Sequence, residues 1–160
     1  MALGSQFRVK YALPAAILRL PAYHREEKEI RQKALELLNL FGLGNRATEI
    51  AKNLPYGEQR RLEICRALAA NPQLLLLDEP AAGMNPHEVE DLMALIQWVH
   101  REFKLTTILI EHQMRVVMGI CPHILAMDFG EVIARGTPVE IQNNQSVIEA
   151  YLGKEEEEAI

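Results

Sequence analysis

Apolar and polar positions alternate with two different periods along this chain, and the changes of period mark its elements. From Arg25 to Leu40 the apolar residues Ile30, Ala34, Leu37, Leu38 and Phe41 recur three and four apart, which predicts one face of a helix. Glu27 with Arg31 and Glu29 with Lys33 stand four apart in the favourable order, and Gly42 and Gly44 mark the helix end. Ala47 to Lys52 reads as a short helix. Leu54-Pro55-Tyr56-Gly57 breaks the pattern, and Glu58 to Ala70 resumes a helical one. Leu74-Leu75-Leu76-Leu77 is short and bounded by Pro72 and Pro80, so it predicts a strand buried on both faces, as in a parallel sheet. Pro86 opens a helix running to about Phe103, with Val89, Leu92, Met93, Ile96 and Val99 on its apolar face. Thr106 to Ile110 is a second strand, and Gln113 to Ile120 is helical. His123–Met127 and Glu131–Ala134 predict a hairpin around Asp128-Phe129-Gly130, followed by short helices at Pro138–Gln142 and Ser146–Leu152. Residues Met1 to Tyr23 show no sustained period.

Strand, long helix and strand in that order imply a parallel sheet with a right-handed crossover. Ligands on such sheets bind beyond the carboxyl ends of the strands. Here those ends carry Asp78-Glu79 and Glu111-His112, and the expectation is that they meet at one rim of the sheet. A carboxylate such as Asp78 suits Mg²⁺ held through water, a neighbouring Glu79 suits proton abstraction from an attacking water, and a neutral His112 suits a hydrogen bond to phosphate. The plainer alternative makes Asp78 a turn cap and His112 an ordinary strand-end residue. Gly57 lies where a loop enters a helix, and the free N–H groups of such a terminus attract anions. The alternative there is an ordinary helix start with proline in its first turn. Arg60, Arg61 and Arg66 read as a solvated helix face.

Composition narrows the classes. With 160 residues, 49% hydrophobic and 24% charged, the chain fits one globular domain and excludes collagen, wholesale disorder and a disulfide scaffold. The net charge is −5, and the tail Lys154–Glu158 supplies −3 of it, leaving a nearly neutral body with no basic surface for nucleic acid. Cys65 and Cys121 predict two buried, reduced thiols. The apolar stretch Tyr11–Leu20 is too short to span a bilayer and is not followed by a cleavage site, so a cytosolic chain is expected. The acidic tail is expected to be mobile.

Taken in order, these pieces resemble the ATP-binding subunits of ABC transporters from about Arg25 to Gly153. Leu54-Pro55-Tyr56-Gly57-Glu58 aligns with the family's signature loop, and Leu74 to Glu79 with its Walker B strand and catalytic glutamate. Ala82-Gly83-Met84-Asn85 occupies the D-loop, and His112 the switch histidine. Tyr56 to Ile64, Asp78 to Pro86, Ile110 to Met114, and Gly136-Thr137-Pro138 through Asn143-Asn144 to Gly153 are similar to the branched-chain amino-acid transport subfamily. The resemblance implies an α/β, ABC-type P-loop NTPase domain, here incomplete, with a parallel sheet core and a helical subdomain. Its expected parts are a helical subdomain over residues 1–72, an α/β catalytic subdomain over 73–153, and the acidic tail over 154–160. It further implies ATP and Mg²⁺ as ligands, Glu79 activating water, Asp78 holding Mg²⁺ through water, and His112 polarising the γ-phosphate. Leu54, Pro55, Tyr56, Gly57 and Glu58 would contact ATP bound by an opposing subunit. The implied partners are a second ATP-binding subunit and membrane permease subunits, at the inner face of the cell membrane and without nucleic acid.

The sequence departs from that pattern in three places. No G-x-x-x-x-G-K-[ST] occurs; the only Gly-Lys, Gly153-Lys154, is followed by Glu155. Pro55 stands where the family has serine, and Asn85 where it has aspartate. The chain therefore reads as the carboxyl-terminal part of such a subunit, unable to hydrolyse ATP alone. The competing reading is a non-catalytic remnant or interaction protein that retains the fold.

Overall fold

The computed structural model describes residues 21–158. The aperiodic stretch before Pro21 lies outside them. The elements are α1 (Pro21–Leu40), α2 (Tyr56–Leu68), β1 (Leu74–Asp78), α3 (Pro86–Phe103), β2 (Thr106–Ile110), α4 (Met114–Ile120), β3 (Ile124–Asp128), β4 (Glu131–Gly136), α5 (Pro138–Gln142) and α6 (Gln145–Glu158). Two compact units divide between Ile108 and Leu109.

In the first unit, α1 ends at Gly42, whose φ of +70° suits a left-handed residue without Cβ. The helix expected over Ala47–Lys52 is absent. Two 3-10 turns, Gly44–Arg46 and Ala51–Asn53, take its place. Such tight turns suit a stretch that buries little, and neither holds a buried residue. The core gathers Ala34 and Leu38 from α1, Phe41 just after it, Ile64, Cys65 and Leu68 from α2, and Val89, Leu92, Ile96 and Val99 from α3. Met93, expected on that apolar face, is only half-buried. Trp98 packs edge-on between Phe41 and Phe103, at ring-centroid distances of 5.5 and 5.9 Å, a geometry that favours the ring quadrupoles.

β1 and β2 pair in a two-stranded sheet, entered by a hydrogen bond from the Thr106 N–H to the Gln73 carbonyl at 2.9 Å. The long crossover through α3 makes the pair parallel. One expectation needs correction: β1 is buried on one face only. Leu75 and Leu77 are 4% and 9% exposed, whereas Leu74 and Leu76 are 46% and 66% exposed. Period-two alternation turns successive leucines to opposite faces, and among the described residues only one face is covered.

The second unit holds the predicted hairpin. β3 and β4 pair antiparallel from Ile124↔Gly136 to Asp128↔Glu131, with a bulge at Ala126/Met127. Phe129 and Gly130 form a two-residue turn with φ of +43° and +84°, the pairing of positive angles that matches strand twist. Val116, Ile141 and Val147 are buried. The final helix does not stop at Leu152: α6 continues through the glutamates to Glu158, so the tail expected to be mobile is helical. No described helix is long and apolar enough to cross a membrane.

Candidate functional site

The signature-like loop is built around an open helix end. Leu54 is buried and its carbonyl accepts a hydrogen bond from Gln59 Nε2 at 2.8 Å, which fixes the loop to the first turn of α2. Pro55 is the N-cap residue, at φ −53° and ψ 150°, one place earlier than the first-turn position expected. Proline has no hydroxyl to accept, so no side chain caps the early N–H groups of α2. Beside Gly57, an added Cβ would meet only Glu88 Oε1, at 3.9 Å. Glu58, in the same turn, has its carboxylate 3.3 Å from Arg46 Nε. That contact is charge attraction without hydrogen-bond geometry, since Glu58 Oε2 is buried with no hydrogen-bond partner.

Asp78 closes β1 and Glu79 follows it, both exposed. Glu79 has φ +43°, in the left-handed region that costs a non-glycine residue roughly 1–2 kcal/mol. A turn holds it there: the Ala82 N–H donates to the Glu79 carbonyl at 3.1 Å, and the Met84 N–H to the Ala81 carbonyl at 3.2 Å. Gly83 sits at φ +74°. Asn85 then starts α3 with a complete capping box. Its Oδ1 accepts from the His87 and Glu88 N–H groups at 3.0 Å each, and Glu88 Oε2 accepts from the Asn85 N–H at 2.9 Å.

The structure brings the loop at residues 54–58 and the turn at residues 82–85 together. The Tyr56 hydroxyl donates to the Ala82 carbonyl at 2.7 Å. Arg60 donates to the same hydroxyl at 2.6 Å and lies over the Tyr56 ring at 5.1 Å. Gly57, Arg60, Met84 and Glu88 line a single crevice. Of the arginines expected as a solvated face, Arg66 is exposed, and Arg60 and Arg61 are part-exposed and carry surface ion pairs. Arg60 pairs with Glu63 at 2.8 Å and Arg61 with Asp91 at 3.8 Å. The hydrogen bond from Arg60 to Glu63 raises the guanidinium's pKa further, against the smaller opposing effect of burial. The Tyr56 tie is invisible in sequence. The Asn85-x-x-Glu88 box was a readable signal that motif reading passed over.

Glu111 and His112 belong to the second unit. Glu111 is half-buried and accepts from the Gln113 N–H at 3.4 Å at the entry to α4; His112 is exposed. Cys65 is fully buried, which pushes its thiol up to about 12 and leaves it protonated and inert. Cys121 is half-buried and its thiol is raised by the same cause. For Mg²⁺, the exposed carboxylates at the end of β1 fit a hard cation that keeps its waters. No group of three His, Cys, Asp or Glu side chains among the described residues forms a cage.

Two family models match the chain: ABC transporter over residues 6–82, and branched-chain amino acid ATP-binding cassette transporter over residues 131–157. The chain belongs to the ABC-transporter ATP-binding family. It is 44% identical over 147 residues to the high-affinity branched-chain amino acid transport ATP-binding protein LivG of Salmonella typhimurium, covering 92% of this chain and 58% of that protein. It is 45% identical over 140 residues to the corresponding BraF protein of Pseudomonas aeruginosa, covering 88% of this chain and 55% of that one. The chain thus spans little more than half the length of the curated relatives it matches. The solved ADP conformation of MJ1267, an ATP-binding cassette of an ABC transporter, superposes with a TM-score of 0.75 at 25% identity, covering 95% of this chain and 61% of that one. These matches make the fold that of a P-loop NTPase of the ABC type.

Proposed function

We propose that this chain forms the signature, Walker B and switch part of the ATP-hydrolysing subunit of an ABC importer for branched-chain amino acids. The observation that carries the proposal is the open amino-terminus of α2 at Gly57, joined through Tyr56 to the turn that follows Glu79. Free N–H groups at a helix start donate hydrogen bonds to a phosphate, and that terminus presents them beside a glycine. On this reading Leu54, Pro55, Tyr56, Gly57 and Glu58 face ATP held by a second ATP-binding subunit. Glu79 takes the proton of the attacking water, and His112 donates a hydrogen bond to the γ-phosphate. Asp78 would hold Mg²⁺ through water, and the ion when bound neutralises charge on the phosphates. The permease subunits place the assembly at the inner face of the membrane.

A second reading, a non-catalytic ABC-fold protein, is favoured by Pro55, which brings neither a hydroxyl nor an N–H to the start of α2. Phosphate release separates the two. The chain alone is expected to release none from MgATP. Mixed with the part of the Salmonella relative that this chain does not cover, it is expected to release phosphate, and Glu79→Gln abolishes that release. No release from the refolded mixture, with both parts shown to associate, would favour the non-catalytic reading.

A further inference from the structure

Glu79 needs its backbone held, because a glutamate at φ +43° is strained wherever nothing fixes it. The hold is a relay of two hydrogen bonds through one residue. The Ala82 N–H donates to the Glu79 carbonyl at 3.1 Å, and the Ala82 carbonyl accepts from the Tyr56 hydroxyl at 2.7 Å. The hydroxyl is itself fixed by Arg60 at 2.6 Å, and Arg60 is anchored on Glu63 at 2.8 Å. Gly83 completes the fit: an added Cβ there would lie 3.8 Å from the Tyr56 hydroxyl oxygen, so the turn runs directly against the ring edge.

We propose that Tyr56 is a positioning residue for Glu79, acting through the Ala82 peptide, so that the signature loop sets the geometry of the carboxylate on its own chain. The inference rests on the reading of Glu79 as the group that activates water. The tie gives the first turn of α2 two tasks. Its N–H groups face an anion, and its tyrosine fixes the turn beyond β1. A phosphate that shifts the start of α2 therefore shifts the Glu79 turn with it.

The test uses Tyr56→Phe, which keeps the ring and the Arg60 stack but removes the donor. Amide hydrogen exchange on the 160-residue chain should quicken at Ala82 by about fivefold, the loss expected for a hydrogen bond of ordinary net strength. The Glu79 α- and β-carbon shifts should leave their left-handed values. The paired amides of Ala126 and Ala134 in the hairpin should not change, which separates a local release from general loosening. Tyr56→Leu should release Ala82 at least as much. Unchanged exchange at Ala82 and unchanged Glu79 shifts in both variants would overturn the tie.

In the phosphate-release mixture, Tyr56→Phe should lower kcat severalfold, in step with the release measured at Ala82. An unchanged kcat, with Glu79→Gln inactive, would overturn the positioning role. A fully active Glu79→Gln would instead remove the reading of Glu79, and the exchange result would stand apart from it.

Discussion

Two helix starts a short distance apart in sequence are finished in opposite ways. α3 is closed: Asn85 and Glu88 satisfy each other's backbone N–H groups, and Pro86 removes one donor that would otherwise need a partner. α2 is open: Pro55 offers no side-chain acceptor, and the neighbouring carboxylate of Glu58 leans toward Arg46. A fully capped terminus serves the helix. An uncapped one beside a glycine leaves positive dipole and free donors for something else. The second unit repeats the closed kind at α5, where the Thr137 N–H and hydroxyl donate to Glu140 Oε2 at 2.7 and 2.9 Å.

The largest effect expected from breaking this arrangement is chemical. In the assembled ATPase, Glu79→Gln should cost roughly 10²–10⁴-fold in turnover, the range for a lost general base, read as initial phosphate release. Next comes the core that holds both helix starts in place. Leu92 is 2% exposed on α3, and Leu92→Ala should destabilise the chain by about 2–5 kcal/mol in denaturant melts. Leu76→Ser, on the bare face of β1, should cost far less and reduce self-association in light scattering. Opening the closed start with Asn85→Ala should cost about 1 kcal/mol. Closing the open one with Pro55→Ser should gain a fraction of that, read as a raised melting midpoint.

The smallest effect is a pH effect at Glu140. The Thr137 N–H, then its hydroxyl, hold the Glu140 carboxyl below its ordinary value. A depressed acid stabilises the fold above its unfolded pKa, and that contribution is lost as pH falls through the folded one. Glu140→Gln should therefore lower stability slightly near neutrality, and the difference from the parent chain should shrink as pH falls below about 4.

Much of this was legible in sequence because it is local. The spacing in α1 and α3, the four leucines, the hairpin around Asp128-Phe129-Gly130 and the order of motifs all follow from neighbours along the chain. What failed depended on partners elsewhere. β1 reads as doubly buried, but covering its second face takes a layer that residues 21–158 do not supply. The stretch Ala47–Lys52 carries helix-forming residues, yet it packs too little to hold more than 3-10 turns. Tyr56 was readable as part of a motif. Its tie to Ala82 joins residues 26 positions apart and belongs to the tertiary structure.

The central claim, that the start of α2 receives phosphate and the start of α3 does not, is tested most directly by amide shifts during a titration of the 160-residue chain with inorganic tripolyphosphate. The account predicts weak, saturating shifts at Gly57, Glu58 and Gln59 at millimolar ligand, with His87 and Glu88 unmoved. Shifts of equal size at both helix starts, or at His87 and Glu88 alone, would contradict it.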